Sequence, residues 1–372
     1  MRTGNPMRIL FDEQIFSSQK FGGISRYFTE LVKAIGVKDD LTAKLLSPLC
    51  TNHYANNIPR SYRVGIPFPS IAGTEKALWH FNRKFSNAYI RLFSPDVLHQ
   101  TYYPNRNPKF RSGLRIVTTI HDMIHELFPQ DFPDAKITSE LKLQAIESAD
   151  LVICVSENTR KDLIDITGIE KARTAVIHHG VDHIDRKPLP AVLPQGRPYL
   201  LYVGLRDAYK NFKRVLKAYA RNPELMSHSD LVCFGGGALS EHERELASRL
   251  NIPENKIVMT SGNDAVLCSL YQHADAFLYP SLYEGFGLPP LEAMLQSCPV
   301  ISSNVSSLPE VLGNAAEYFD PNDSDDLSRA INRVVGSPAR SDELKNSGLT
   351  QAQQFTWDAC ANRTMKSYKK LV

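Results

Sequence analysis

"FLYPSLYEGFGLPPLEAMLQ", residues 277–296, reads as three pieces in succession. A short apolar run of strand length leads into a glycine-rich loop. A helical segment follows, with Pro289 and Pro290 near its start, where missing N–H groups cost little. A strand handing over to a helix in this way is one unit of a parallel sheet covered by helices. Two carboxylates frame the loop, Glu284 inside it and Glu292 in the following helix. Gly285 and Gly287 let backbone N–H groups face outward, so the loop offers donors while the carboxylates offer acceptors. A hydroxyl-rich ligand such as a sugar nucleotide needs both. The plainer reading is a helix-start charge and a surface loop residue.

The same unit recurs on both sides of this stretch. "YLLYVG" precedes "NFKRVLKAYAR", "LVCFGGG" precedes "SEHERELASRL", and "KIVMTSG" precedes "AVLCSLYQHA". "PVISSN" precedes "SLPEVLG", and "AEYFDP" precedes "DDLSRAINRVVG". With residues 277–296 these make six strand–helix units, a complete doubly wound domain. The first half alternates likewise through "MRILFD", "DVLHQ", "RIVTTIHD", "DLVICVS" and "TAVIHHG". There, Ile24, Phe28, Leu31, Val32 and Ile35 recur at helical spacing. Between the halves, "HIDRKPLPAVLPQGRP" (183–198) is proline-rich and aperiodic, as a linker is. The expected fold class is α/β, with an N-terminal domain over 1–183, a linker over 184–198 and a C-terminal domain over 199–352. A terminal helix over 353–372 is expected to cross back to the N-terminal domain. Two such domains imply a central cleft, with ligands beyond the C-terminal strand ends.

Composition agrees with an ordinary globular chain. Of 372 residues, 42% are hydrophobic and 22% charged, and 43 basic side chains nearly balance 40 acidic ones. That balance argues against a dedicated nucleic-acid binder, which carries a basic excess. No apolar run reaches the ~20 residues of a membrane span. The start, "MRTGNPMRILFDEQIF", lacks the apolar core of a secretory leader. Six scattered cysteines form no CxxC pair and read as buried thiols. A cytoplasmic protein is expected.

Other motifs also follow strands. Gly22 and Gly23 open a helix in "FGGIS", where backbone N–H groups could meet a phosphate, or where a tight βα turn needs them. His121 and Asp122 end the run "TTIHD". The imidazole could bond a substrate hydroxyl with Asp122 orienting it, or the two could form a capping pair. His125 lacks an evident third partner for a metal. Arg206 and Lys210 in "YVGLRDAYKNF" stand beside a helix start, where cations suit a diphosphate or are simply solvated. The glycines of "FGGG" (234–237) fit either close packing or close ligand approach. Asp323 and Asp325 have the spacing of a metal pair, but they precede a helix, and capping accounts for them. No metal site and no cofactor are expected.

Taken together, "PSLYEGFGLPPLEAM" and "PVISSNVSSLPEVLGNAAEYFDP" resemble the retaining glycosyltransferases of family 4, the E-x7-E group with the GT-B fold. "FGGISRYFTEL", "IHD", "VSENTRKDL", "HHGVD", "YVGLRDAYKN" and "FTWDACA" extend the resemblance over nearly the whole chain. Within that group the chain looks most like bacterial GDP-mannose-dependent mannosyltransferases of surface-polysaccharide synthesis. The resemblance implies two Rossmann-like domains facing a central cleft. It implies that Gly22 and Gly23 face the donor diphosphate and that His121 contacts the transferred sugar. Arg206 and Lys210 would bind the diphosphate and stabilise the leaving group. Glu284, with the backbone of Gly285, Phe286 and Gly287, would hold the sugar. Leu288 would lie against the donor, and Glu292 would bind the ribose. One departure is plain: the commoner pattern has arginine directly after the strand-end glycine, where this chain has Leu205.

The function so implied is transfer of mannose, with retention, from GDP-mannose to a hydroxyl of a glycan or lipid-linked acceptor in lipopolysaccharide, capsule or exopolysaccharide synthesis. The alternatives are a UDP-sugar donor such as UDP-glucose and a non-catalytic sugar-nucleotide binder. A dinucleotide oxidoreductase would need G-x-G-x-x-G after the first strand, which "FDEQIFSSQKFGGIS" does not supply. Segments 99–108 and 66–85 are the expected acceptor side. The second is basic and aromatic, which fits peripheral contact with the inner face of a membrane, or an ordinary solvated helix.

Overall fold

The computed structural model describes residues 6–38, 41–103, 113–181, 189–193, 196–206 and 208–372. The chain forms two compact units. One comprises Met1–Gly180 with Thr356–Val372, and the other Val181–Phe355. Much of the expected linker and part of the 99–108 segment lie outside the described residues.

The first unit is built on a seven-stranded parallel sheet. Its strands are β1 (Met7–Phe11), β2 (Leu41–Cys50), β3 (Arg63–Pro67), β4 (Val97–Gln100), β5 (Arg115–Ile120), β6 (Leu151–Cys154) and β7 (Thr174–Val176). The order is β3-β2-β1-β4-β5-β6-β7. On one face the helix Gly23–Gly36 buries Tyr27, Phe28, Leu31, Val32 and Ile35 against Ile9 and Phe11. The last helix, Trp357–Leu371, adds Cys360, Ala361, Met365 and Tyr368 to that core. Gly180 permits this approach, because a Cβ there would sit 2.4 Å from the Trp357 nitrogen. Buried His99 on β4 ties the helix down, with Nδ1 2.5 Å from the Tyr368 hydroxyl and Nε2 2.8 Å from Thr119 Oγ1.

Strands β2 and β3 escape the sequence reading. The segment "LTAKLLSPLC" contains Lys44 and Pro48, and the β2–β3 register shifts between Leu46 and Leu49. Gly65 accommodates the irregularity: its φ is +139°, and a Cβ would lie 1.8 Å from the Ser47 carbonyl oxygen. A bulge destroys the two-residue alternation by which a strand is recognised.

The second unit carries six parallel strands: β8 (Tyr199–Val203), β9 (Asp230–Phe234), β10 (Ile257–Thr260), β11 (Ala276–Tyr279), β12 (Val300–Ser303) and β13 (Glu317–Phe319). Their order, β10-β9-β8-β11-β12-β13, is the doubly wound arrangement, and each strand is one read from the sequence. The order reverses between β8 and β11, which pair directly. A reversal leaves a crevice at the C-terminal ends of those two strands, since the following connections leave in opposite directions. The loops that leave there are 204–211 and 280–287. Among the described residues no helix is long and apolar enough to cross a membrane.

Candidate active site

The loop after β8 is held by its backbone geometry. Gly204 has φ +121° and Asn211 has φ +59°, a left-handed conformation that asparagine tolerates better than most residues. The Asn211 side chain is buried and donates to two carbonyls, Pro280 O at 3.1 Å and Pro321 O at 2.8 Å. One amide therefore ties together the loops that follow β8, β11 and β13. A backbone bond from Leu282 N to Tyr209 O, 2.8 Å, adds a second tie. Lys210 sits between these anchors.

From there Lys210 reaches the loop after β11. Its Nζ lies 2.6 Å from Glu284 Oε1, and the Ser281 hydroxyl donates to the same oxygen at 2.6 Å. The two side chains are 20% and 13% exposed, so the pair is partly withdrawn from water yet open on one side. The ammonium lies 5.1 Å and 5.7 Å from the ring centroids of Tyr209 and Tyr279. Burial and the nearby Glu284 carboxylate push the Tyr279 hydroxyl well above its ordinary value, so it stays neutral.

Serines brace the Glu284 loop from β12 and the turn after it. Ser303 donates to Ser281 O at 2.6 Å. Ser306 Oγ accepts from Glu284 N at 3.0 Å, and the Ser307 hydroxyl bonds the Glu284 and Phe286 carbonyls at 2.8 and 3.0 Å. Gly287 adopts φ +110°, a region closed to most side chains, and a Cβ would come 2.9 Å from Leu308 Cδ2. The Phe286 ring is buried against Phe355, and Gly285 and Gly287 beside it are buried too. The helix Leu288–Leu295 then begins, with Glu292, half-buried, as its fifth residue.

Arg206 makes its contacts with the loop after β9. Its Nε donates to Glu243 Oε1 at 2.7 Å, and its Nη groups donate to the carbonyls of Gly235, Gly236, Gly237 and Ala238 at 2.8–3.3 Å. The guanidinium bonds the loop after β9. That loop consists of three glycines with positive φ, and a Cβ on Gly236 would lie 2.7 Å from Arg206 Nη1. Close packing is what Gly236 serves, while a Cβ on Gly237 would meet nothing within 4 Å. Burial would raise the Glu243 carboxyl, but hydrogen bonds from Ser240 and Arg206 outweigh it and hold the group below its ordinary value.

In the first unit His121 follows β5, as read. Its ring packs edge-on to Tyr27 at 5.1 Å and near His179 at 5.5 Å, and its buried Nε2 has no hydrogen-bond partner. A buried nitrogen left open calls for a ligand or water. Asp122 Oδ1 accepts from Ile124 N at 3.1 Å, capping the next turn. Lys142, buried, bonds Asp122 O at 3.1 Å and Glu126 at 2.7 Å, placing a cation among the residues around His125. Gly22 caps the helix Gly23–Gly36, and Gly23 faces open space.

Burial lowers the His121 imidazole to about 4, with Asp122 opposing and Lys142 assisting, and burial lowers His99 to about 3. These rings stay neutral at neutral pH. Because the folded values lie below the unfolded one, their contribution to stability is complete above about pH 6.5 and is lost as pH falls toward the folded values. Imidazole NMR signals of His121 and His99 are accordingly expected to stay unmoved between pH 7.5 and 5.5. A midpoint for His121 near 6.5 would contradict the burial assigned to it.

The comparisons with known proteins bear on this geometry. Residues 21–184 match the family described as Glycosyltransferase Family 4, and residues 185–351 match Glycosyl transferases group 1. O-antigen chain mannosyltransferase B of Escherichia coli is 32% identical over 94% of this chain and 96% of its own length. The chain belongs to glycosyltransferase family 4. A second E. coli relative of this glycosyltransferase, serotype-specific mannosyltransferase WbdA, is 26% identical over 98% of the chain, which spans 48% of that protein. Among solved structures, sucrose-phosphate synthase from Thermosynechococcus elongatus superposes with TM-score 0.74 at 20% identity, covering 99% of both chains. Anabaena Alr3699/HepE, solved with UDP and glucose, gives 0.72 at 16%, covering 98% of this chain and 100% of that one. These two share the GT-B fold of the glycosyltransferase.

Several residues of the glycosyltransferase site went unread in the sequence. Asn211, Ser281, Ser303, Ser306 and Ser307 all brace the two loops, yet a single polar residue in a strand-end turn carries no periodic signal. The density of serine in "PVISSNVSS" was the available hint. Asp323 is a helix cap, with Oδ1 accepting from Asp325 N at 2.8 Å. The six cysteines are buried and unpaired with one another.

Proposed function

We propose that this glycosyltransferase moves mannose from GDP-mannose, with retention of configuration, to a hydroxyl of a glycan or lipid-linked acceptor in bacterial surface-polysaccharide synthesis. The Lys210–Glu284 pair carries the reading: a cation and a carboxylate, braced at the point where the sheet order reverses. In this reading Lys210 turns from Glu284 to the diphosphate and neutralises the charge that grows as the glycosidic bond breaks. Glu284 and the N–H groups of 285–287 take the sugar hydroxyls, Leu288 lies against the donor, and Glu292 takes the ribose diol. His121 Nε2 is available to a sugar hydroxyl, and Gly22 and Gly23 to phosphate oxygens. The acceptor hydroxyl attacks on the face that the diphosphate leaves, and a phosphate oxygen receives its proton, so no protein base is required. Arg206, in the same loop, is the second cation for the diphosphate, released from the carbonyls after β9 when the donor binds. The choice of mannose rests on the mannosyltransferases to which the chain is similar.

Calorimetry tests the donor directly, with GDP-mannose, GDP-fucose, UDP-glucose, UDP-galactose and UDP-N-acetylglucosamine, each with and without EDTA. Selective GDP-mannose binding is expected. A UDP-sugar bound in its place overturns the donor, and binding without turnover in the presence of acceptor overturns catalysis. Glu292→Ala is expected to weaken GDP binding by about tenfold or more, the loss of a charged hydrogen-bond acceptor. Unchanged GDP affinity removes the ribose role.

A further inference from the structure

Phe21 stands directly before Gly22 and Gly23, and it is 62% exposed. A lone apolar residue on a surface needs no explanation. This ring, however, is held in place. It stacks on His53, with centroids 4.0 Å apart and planes 10° from parallel, and Tyr54 meets it edge-on at 6.1 Å. The loop that carries it is tied to the short helix His53–Asn56. Asn52, fully buried, caps that helix by accepting from Ala55 N at 3.0 Å, and it donates to Gln19 O at 2.7 Å. His53 N donates to Lys20 O at 3.1 Å. His53 covers one face of the phenyl ring, so the exposure belongs to the other. The place matters as well. The ledge follows β1 and β2, which pair directly, and so lies beyond their C-terminal ends, where ligands of such sheets bind. Beside it, a Cβ on Gly23 would meet nothing within 4 Å.

We infer that the Phe21–His53 ledge binds a neutral pyranose ring of the acceptor glycan, seated by its C–H face on the open side of the phenyl ring. A pyranose carries hydroxyls around its rim and C–H groups on its faces. Those hydrogens are slightly positive and the face of a phenyl ring is negative, so the two attract in a flat contact that also takes apolar area from water. The same negative face repels an anionic group, which favours a neutral sugar. Position selects the acceptor over the donor. In the proposed function Gly22 and Gly23 take phosphate oxygens, while Glu292 of the second unit takes the ribose. A sugar on Phe21, one residue from Gly22, therefore lies next to the phosphates, on the side where the acceptor hydroxyl must attack. The inference rests on the glycosyltransferase reading of the site, not on which nucleotide sugar it takes.

Saturation-transfer NMR tests it. The full chain, with GDP or UDP present, is mixed in turn with neutral disaccharides of mannose, glucose, galactose and N-acetylglucosamine. Irradiating the aromatic protons of the protein is expected to saturate the ring C–H protons of at least one of them. Phe21→Ala is expected to weaken the affinity for that disaccharide by about three- to tenfold, the range of a ring contact. Phe21→Leu, apolar but not flat, should fall with alanine, and Phe21→Trp should keep the affinity. Calorimetry on the same variants is expected to show unchanged affinity for the nucleotide. The position is exposed, so an unchanged thermal unfolding midpoint serves as the fold check. Three results would overturn the inference: no saturation transfer to any of the disaccharides, undiminished affinity in Phe21→Ala, or a matching loss of nucleotide affinity in that variant, which would place the ring on the base. A chain that binds UDP in place of GDP loses its donor reading and leaves the ledge standing.

Discussion

Lys210→Ala is expected to lower kcat by about two to three orders of magnitude, the usual loss when one preorganised charge is removed from a developing anion. The effect is large because Lys210 is positioned before the donor arrives. Asn211 fixes the backbone beside it, and Glu284 and the tyrosine rings confine its ammonium to one side. Stability should fall by about 1–3 kcal/mol, because the Glu284 carboxylate, 13% exposed, loses its cation and is left with the Ser281 hydroxyl. Single-turnover measurement with saturating donor separates chemistry from binding. Lys210→Arg should recover part of the rate, since it restores the charge but not the compact geometry of the ammonium. Near-normal turnover by a purified, folded Lys210→Ala variant would remove this residue from the site.

Asn211→Ala should destabilise the second unit by about 2–4 kcal/mol. Two buried carbonyls, of Pro280 and Pro321, lose their shared donor, and an unsatisfied buried acceptor costs roughly 1–3 kcal/mol. Alanine must also adopt φ near +59°, which adds about 1 kcal/mol. Asn211→Gly separates the two contributions, because glycine removes the backbone cost and leaves the carbonyls unpaired. Urea unfolding, read as a shift in midpoint at constant slope, gives the comparison. Activity should also fall in both variants, since a catalytic group displaced by about 1 Å can cost a hundredfold. A loss below 1 kcal/mol for Asn211→Ala would mean that the amide does not brace these loops.

The architecture of the second unit was legible because its signals are local. Strands buried on both faces are short apolar runs, and the helices between them show apolar residues at three- and four-residue intervals. Glu284, Gly287 and Glu292 could be singled out for the same reason: a loop lying between a strand and a proline-started helix is recognisable from its neighbours in the chain. In the first unit β2 and β3 were missed where a register shift and Pro48 broke the pattern.

Partnerships across the chain were decided only in three dimensions. Lys210 and Glu284 are 74 positions apart, and nothing near either names the other. Arg206 stands in the same loop as Lys210, but Glu243, 37 positions on, and the carbonyls after β9 claim it. The helix 75–93 makes the same point. Its sequence is basic and aromatic, and that alone does not say which of its aromatic residues turn inward. Ile90, Tyr89 and Phe93 pack on the core with Leu10, Leu46 and Leu98, while the Leu49 backbone takes Asn82, because open hydrogen-bonding groups are satisfied by an amide and not by a phenyl ring. The sequence by itself determined which elements form and which residue types end the strands. The tertiary structure decided which charges meet and which helix face is left to the solvent, since both depend on partners that only folding brings within hydrogen-bonding range.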